Sequence, residues 1–120
     1  FFWISQTEGM YAETLIGSGR LEEARRWNEE QVQRDLEIYG TEHRLTLVAR
    51  RWRARTRLEQ GELLPAAAEL RDIFLKVQSI PTAAPTDLAH AAFELARAEL
   101  LLERPQAAQE VLSGMWWKMP

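Results

Sequence analysis

An all-α fold of six helices in three pairs is predicted by three features of the sequence. A six-residue phrase recurs at equal intervals, as Gly19-Arg20-Leu21-Glu22-Glu23-Ala24, Gly61-Glu62-Leu63-Leu64-Pro65-Ala66 and Glu103-Arg104-Pro105-Gln106-Ala107-Ala108, each 42 residues after the last. Apolar residues return at spacings of three and four, and no window of useful length alternates with period two. Gly and Pro are few and fall between the periodic stretches. A fixed period of this size signals supersecondary units that stack, because one helix pair cannot bury its own apolar face.

The first helix spans residues 3–17, with Ile4, Tyr11, Ala12, Leu15 and Ile16 as its apolar stripe and a weak place at Glu8; Gly17, Ser18 and Gly19 stop it. The second runs from Leu21 to Tyr39, with Glu22 and Glu23 at its positive end. Its stripe is Leu21, Ala24, Trp27 or Asn28, Val32, Leu36 and Tyr39, and Gly40 is placed to end it in a left-handed cap. A third helix, His43 to Gln60, packs through Leu47, Val48, Ala49, Trp52, Ala54 and Leu58. The fourth, Leu63 to Val77, has the cleanest stripe: Leu63, Ala66, Ala67, Leu70, Ile73, Phe74 and Val77, with Pro65 harmless in the first turn. Residues 79–85 form a loop around Pro81 and Pro85. Thr86 or Asp87 caps a fifth helix packed through Leu88, Ala91, Ala92, Leu95, Ala96 and Leu102; Pro105 opens a sixth with Ala108, Val111, Leu112 and Met115.

Composition removes several classes of function. The absence of cysteine excludes disulfides, thiolate catalysis and cysteine-ligated zinc. The net charge of −3 gives no global attraction to nucleic acid or an anionic membrane. No apolar run approaches the roughly 18 residues that span a bilayer. Residues 1–4, Phe-Phe-Trp-Ile, lack the basic lead of a signal peptide, and the chain lacks an initiator Met, so it is expected to be part of a longer protein; the cytoplasm is the default compartment. His43 and His90 are the only imidazoles, and no His-Glu-x-x-His, Gly-rich phosphate loop or Gly-x-Ser-x-Gly is present. No enzyme, catalytic residue, cofactor or metal is expected. His43 sits at a helix start beside Glu42 and His90 near another, and each reads as a solvated or capping residue rather than a base.

Small residues keep the same 42-residue interval at Ala12, Ala54 and Ala96, and again at Ala24, Ala66 and Ala108, and Gly stands in the turn at 19 and 61. In these positions nearly the whole chain resembles the tetratricopeptide family. The ordinary repeat there is about 34 residues, and the longer period is similar to the kinesin-light-chain type. The junction from Gly40 to Thr46 matches that type at Gly40, His43 and Thr46 and departs at Arg44, where Pro is usual; the next junction keeps only Pro85, and the third repeat lacks the turn Gly. Arg50, Arg53 and Arg57 stand where the family carries large apolar residues, which points to a second repeat rotated by about a residue, with Trp52 and Leu58 packing instead.

The resemblance implies a single domain, a right-handed α-solenoid of three antiparallel helix pairs with repeats near 3–42, 43–84 and 85–120. It also implies a protein- or peptide-binding scaffold whose first helices line a concave groove, with Glu13, Arg51, Arg55, His90, Phe93 and Arg97 on it. The alternative is a structural spacer or regulatory arm of a multidomain protein with no ligand of its own.

The third helix carries Arg44, Arg50, Arg51, Arg53, Arg55 and Arg57, with no acid from His43 to Leu58. The like-charge pairs Arg51/Arg55 and Arg53/Arg57 each cost roughly 0.2–0.5 kcal/mol in an isolated helix. One expectation is that Glu22, Glu23, Glu29, Glu30, Asp35 and Glu37 of the preceding helix screen them. The other is an acidic peptide, bound by forked contacts from Arg51, Arg55 and Arg97 to its side chains or terminal carboxylate. In a rotated repeat Arg50, Arg53 or Arg57 take that place. Arginines around Trp52 also fit nucleic acid, but Trp52 lies on the apolar stripe and the chain is acidic overall, so neither nucleic acid nor membrane is expected as a partner. The apolar termini, Phe1, Phe2 and Trp3 at one end and Met115, Trp116, Trp117 and Met119 at the other, are expected to meet further repeats or a flanking domain, the alternative being a dimer contact or partner site.

Overall fold

The computed structural model describes residues 2–81 and 83–114, with side chains from residue 9 onward. Among these there are six helices and no strand: α1 (Phe2–Gly17), α2 (Leu21–Tyr39), α3 (Arg44–Glu59), α4 (Leu63–Gln78), α5 (Pro85–Leu101) and α6 (Pro105–Ser113). Each helix packs on the next in sequence, and α1 also meets α3 and α3 meets α5. The odd-numbered helices therefore form a run of neighbours along one side. Leu47, Leu58, Leu70, Ile73 and Leu95 join Ala54, Ala66, Ala91 and Ala98 in a core that runs through α3, α4 and α5.

The 42-residue interval is a structural one. After α1 the N–H of Arg20 bonds the carbonyl of Leu15 at 2.9 Å and that of Gly19 bonds Ile16 at 3.1 Å. The same two bonds follow α3, Glu62 to Arg57 at 2.9 Å and Gly61 to Leu58 at 3.0 Å, and α5, Arg104 to Glu99 at 2.8 Å and Glu103 to Leu100 at 3.0 Å. This is the Schellman pattern, which needs a left-handed residue at its centre. Gly19, Gly61 and Glu103 supply it with φ of 78°, 83° and 61°. The third turn thus keeps its form without the glycine. Ala12, Ala54 and Ala96 are buried, as are Ala24, Ala66 and Ala108, so positions 42 apart occupy equivalent places.

That equivalence corrects the expected rotation of the second pair. Ala54 is as deeply buried as Ala12 and Ala96, and Arg50, Arg53 and Arg57 fit unrotated because a carboxylate of α4 meets all three. Other boundaries differ in detail. Helix α5 begins at Pro85 rather than after a Thr86 or Asp87 cap: Ala84 is the N-cap, and its N–H donates to the Asp87 carboxylate at 3.0 Å. Gly40 has φ 85° but ψ −177°, outside the left-handed helical well. The α2–α3 junction is instead tied by the Thr46 hydroxyl, which donates to the carbonyls of Gly40 at 2.8 Å and Asp35 at 3.2 Å. Asn28, not Trp27, takes the buried place on α2, donating to the Thr56 hydroxyl at 2.6 Å. Tyr11 and Leu112 are exposed although both lie on the expected stripes; Tyr11 meets the Trp27 ring edge-on, 4.7 Å between centroids. The side chains of Ile4, of the apolar start at Phe1, Phe2 and Trp3, and of the end at Met115, Trp116, Trp117 and Met119 lie outside the described residues. No helix among the described residues is long and apolar enough to cross a membrane.

Candidate functional site

Where α1, α3 and α5 run as neighbours they leave an open groove of about 370 Å³. Met10 and Glu13 of α1 form one wall; Thr86, Asp87 and His90 of α5 form the other; Arg44, Val48, Arg51 and Trp52 of α3 lie between. Of the residues expected on a groove, Glu13, Arg51 and His90 are brought together here. Arg55 lies one turn beyond Arg51, with its guanidinium 5.3 Å from the centre of the Trp52 ring. Phe93 and Arg97 are exposed further along α5, outside the cavity wall. Trp52 is half-buried and lines the groove rather than disappearing into the core.

The charges in the groove are largely matched from within. Arg44 forks onto Asp87. Arg51, also 5.0 Å from the Trp52 ring centre, donates to Glu94 at 2.9 Å. Arg97 meets Glu59 at 2.9 Å. Among the described residues Arg55 has no carboxylate partner, and its recorded contact is the indole face, where a cation is attracted by the ring quadrupole. Burial holds the Glu94 carboxyl above the usual carboxylate range despite the pull of Arg51 and Arg55. Burial, with Arg51 close by, holds His90 below its ordinary value, Asp87 acting the other way. His43 caps α3, its Nδ1 accepting from the Leu45 N–H at 3.1 Å.

The acids of α2 were expected to screen the arginine-rich helix, and they do little of it. Glu69 of α4, buried, is met by Arg50 at 3.2 Å, Arg53 at 2.5 Å and Arg57 at 3.1 Å. Asp72 takes a second contact from Arg50 at 2.9 Å. Among the described residues, Glu29 of α2 reaches the arginines of α3, at 3.5 Å to Arg53 and 3.9 Å to Arg57. The physical reason is phase: Arg50, Arg53 and Arg57 share the face of α3 turned to α4, so the helix that follows supplies the carboxylates. These three arginines point away from the groove and do not replace Arg51 in it.

Reasoning from the sequence missed Met10, Arg44, Thr86 and Asp87 as groove residues, and Glu94 as the partner of Arg51. A signal for three of them, Arg44, Asp87 and Glu94, exists. Both groove ion pairs, Arg44 with Asp87 and Arg51 with Glu94, span 43 residues, one period plus one. An arginine on one first helix with an acid one place further along the next is the trace that stacking leaves. No group of three or more His, Asp or Glu among the described residues is arranged to hold a metal ion. Comparison with protein-family models, with curated proteins and with solved structures finds no match to this chain.

Proposed function

We propose that the chain is a protein- or peptide-binding scaffold: three tetratricopeptide-like helix pairs in a right-handed α-solenoid, with the α1–α3–α5 groove as its concave binding side. The observation that carries this reading is the groove itself, about 370 Å³ and open, framed by helices from all three pairs. A cleft of that size is in the range that holds ligand groups. An apolar ligand side chain covers Met10, Val48 and Trp52, and an acidic side chain or terminal carboxylate meets Arg55. Stacking on the indole restrains Arg55 in advance, so less freedom is lost when a carboxylate arrives. Arg51 and Arg97, already matched by Glu94 and Glu59, shape the groove more than they attract charge. No reaction, cofactor, nucleic acid or membrane forms part of the proposal.

A second reading, a spacer or regulatory arm without a ligand, draws support from those same internal ion pairs, which leave the groove close to neutral. The two separate in one experiment. An array of acidic peptides, each with a free or an amidated C-terminus, is probed with the protein, and the hits are titrated by fluorescence anisotropy. The scaffold reading predicts binding that weakens with salt and is lost in Arg55→Glu, a variant whose helical circular dichroism is unchanged. Absence of any binder, or hits indifferent to Arg55→Glu, sides with the spacer.

A further inference from the structure

Helices α2 and α4 are equivalent across the 42-residue interval, yet their buried faces differ in kind. On α4 the stations Leu70, Ile73 and Val77 are apolar and belong to the core. On α2 the same stations hold Asn28, Gln31 and Asp35, which are 1%, 8% and 5% exposed. Polar groups in buried places are costly unless they are partnered. Asn28 donates to the Thr56 hydroxyl at 2.6 Å and to the Trp52 carbonyl at 3.3 Å, and Asp35 meets Arg34 at 3.3 Å. The Gln31 Oε1 is buried and has no hydrogen-bond partner. All three side chains line a cavity of about 20 Å³ between α1, α2 and α3, room for about one water-sized group. Gly9, Val48 and Trp52 line both this cavity and the groove, so the two adjoin.

We propose that this cavity takes the hydroxyl of a serine side chain on the peptide held in the groove, which donates to Gln31 Oε1 and accepts from the Trp52 indole N–H. The proposal rests on the scaffold reading above and names one residue of its ligand. Gly9 keeps the way open, since a Cβ there would stand 3.1 Å from Trp52 Nε1. A residue without Cβ also lets a ligand backbone come close, which suits a short side chain. The charges nearby select a neutral group. A carboxylate would face the Gln31 oxygen and the Asp35 carboxylate in the cavity wall. An ammonium would be repelled by Arg51 and Arg55, whose guanidiniums lie 5.0 and 5.3 Å from the centre of the Trp52 ring. A hydroxyl is donor and acceptor at once, and it reproduces the bonds of a water that it displaces, so none is lost.

The test takes the tightest-binding acidic peptide of the array, replaces each position in turn by Ser and by Ala, and titrates both sets onto the full chain. At one position Ser should bind about three- to tenfold more tightly than Ala, the worth of one neutral hydrogen bond. Gln31→Leu, which removes the orphan acceptor, should erase that ratio. Gly9→Ala, a change that favours helix α1, should erase it too; helical circular dichroism checks the fold of both variants. Arg55→Gln should weaken the two peptides alike and leave the ratio standing. No position that prefers Ser, or a ratio indifferent to Gln31→Leu, overturns the inference, and binding that still needs Arg55 then leaves the scaffold reading in place. A crystal structure of the complex with a water in the cavity and every peptide hydroxyl outside it overturns the inference as well. Failure of every acidic peptide to bind removes the scaffold reading and this inference with it.

Discussion

Arg51 on α3 donates to Glu94 on α5 at 2.9 Å, and both side chains are largely withdrawn from solvent, 10% and 14% exposed. The second carboxylate oxygen of Glu94 has no hydrogen-bond partner, and burial raises the pKa of the group even against the arginine's pull. Such a pair holds little net stability but is costly to split. Arg51→Met is therefore expected to destabilise the fold by about 3–5 kcal/mol, by leaving a buried carboxylate alone. Arg51→Met with Glu94→Leu should recover most of that loss. Urea unfolding of the two singles and the double closes the cycle.

Glu69 meets Arg50, Arg53 and Arg57 together, so its removal leaves three like charges facing one another with a cavity between. Glu69→Ala should cost about 3–5 kcal/mol. Glu30→Ala and Glu37→Ala, at exposed positions on α2, should each fall within about 0.5 kcal/mol of the parent. Chemical denaturation of the three variants ranks them. An equal loss at Glu30 would return the screening role to α2.

Glu103 stands at φ 61° where the two earlier turns have glycine. A side chain in that region is disfavoured by roughly 1 kcal/mol, so Glu103→Gly should stabilise the protein by about 0.5–1 kcal/mol, part of the gain being offset by the freer unfolded chain. Gly61→Ala should destabilise it by about 1 kcal/mol or more. Midpoints in urea, with unchanged m-values, measure both. Opposite signs at equivalent positions are the expected outcome.

His90 is held below its ordinary pKa by burial and by Arg51 and Arg55, with Asp87 opposing. A group whose folded pKa is depressed contributes stability in full above its unfolded pKa and loses it as pH falls through the folded value. The melting temperature should therefore decline as pH is lowered from about 6.5, and His90→Gln should flatten that decline. Glu94, shifted upward, has the opposite sign: its contribution is present at low pH and is lost as pH rises through its folded pKa. Comparing His90→Gln with the parent isolates the imidazole. Parallel pH profiles would show that His90 titrates alike in both states.

Six helices, their pairing and the alanines that seat them were legible because stacking leaves a fixed interval in the sequence. The family resemblance implied a groove along the odd helices, and Glu13, Arg51 and His90 line one cavity there. What was not legible depends on the phase of one helix against the next. Charge counting along the chain assigned the arginines to α2, since it lies closest before them; the turn of α3 presents Arg50, Arg53 and Arg57 to Glu69 instead. The glycine pattern suggested a defect at residue 103, yet the backbone holds the left-handed form there with a glutamate. Capping of α5 was misplaced because Ala84 has no side-chain acceptor and Asp87 bonds back to its N–H, a reciprocal contact that works from the third helical position.

The most direct test of the binding proposal is where a ligand sits. An acidic peptide selected from the array is added to uniformly ¹⁵N-labelled protein, and amide and indole N–H shifts are followed by NMR. The account predicts that the Trp52 indole and the amides of Met10, Val48, Arg55 and His90 move together, with residues of α4 and α6 unaffected. Shifts confined to α2, α4 and α6, with the Trp52 indole unmoved, would contradict it.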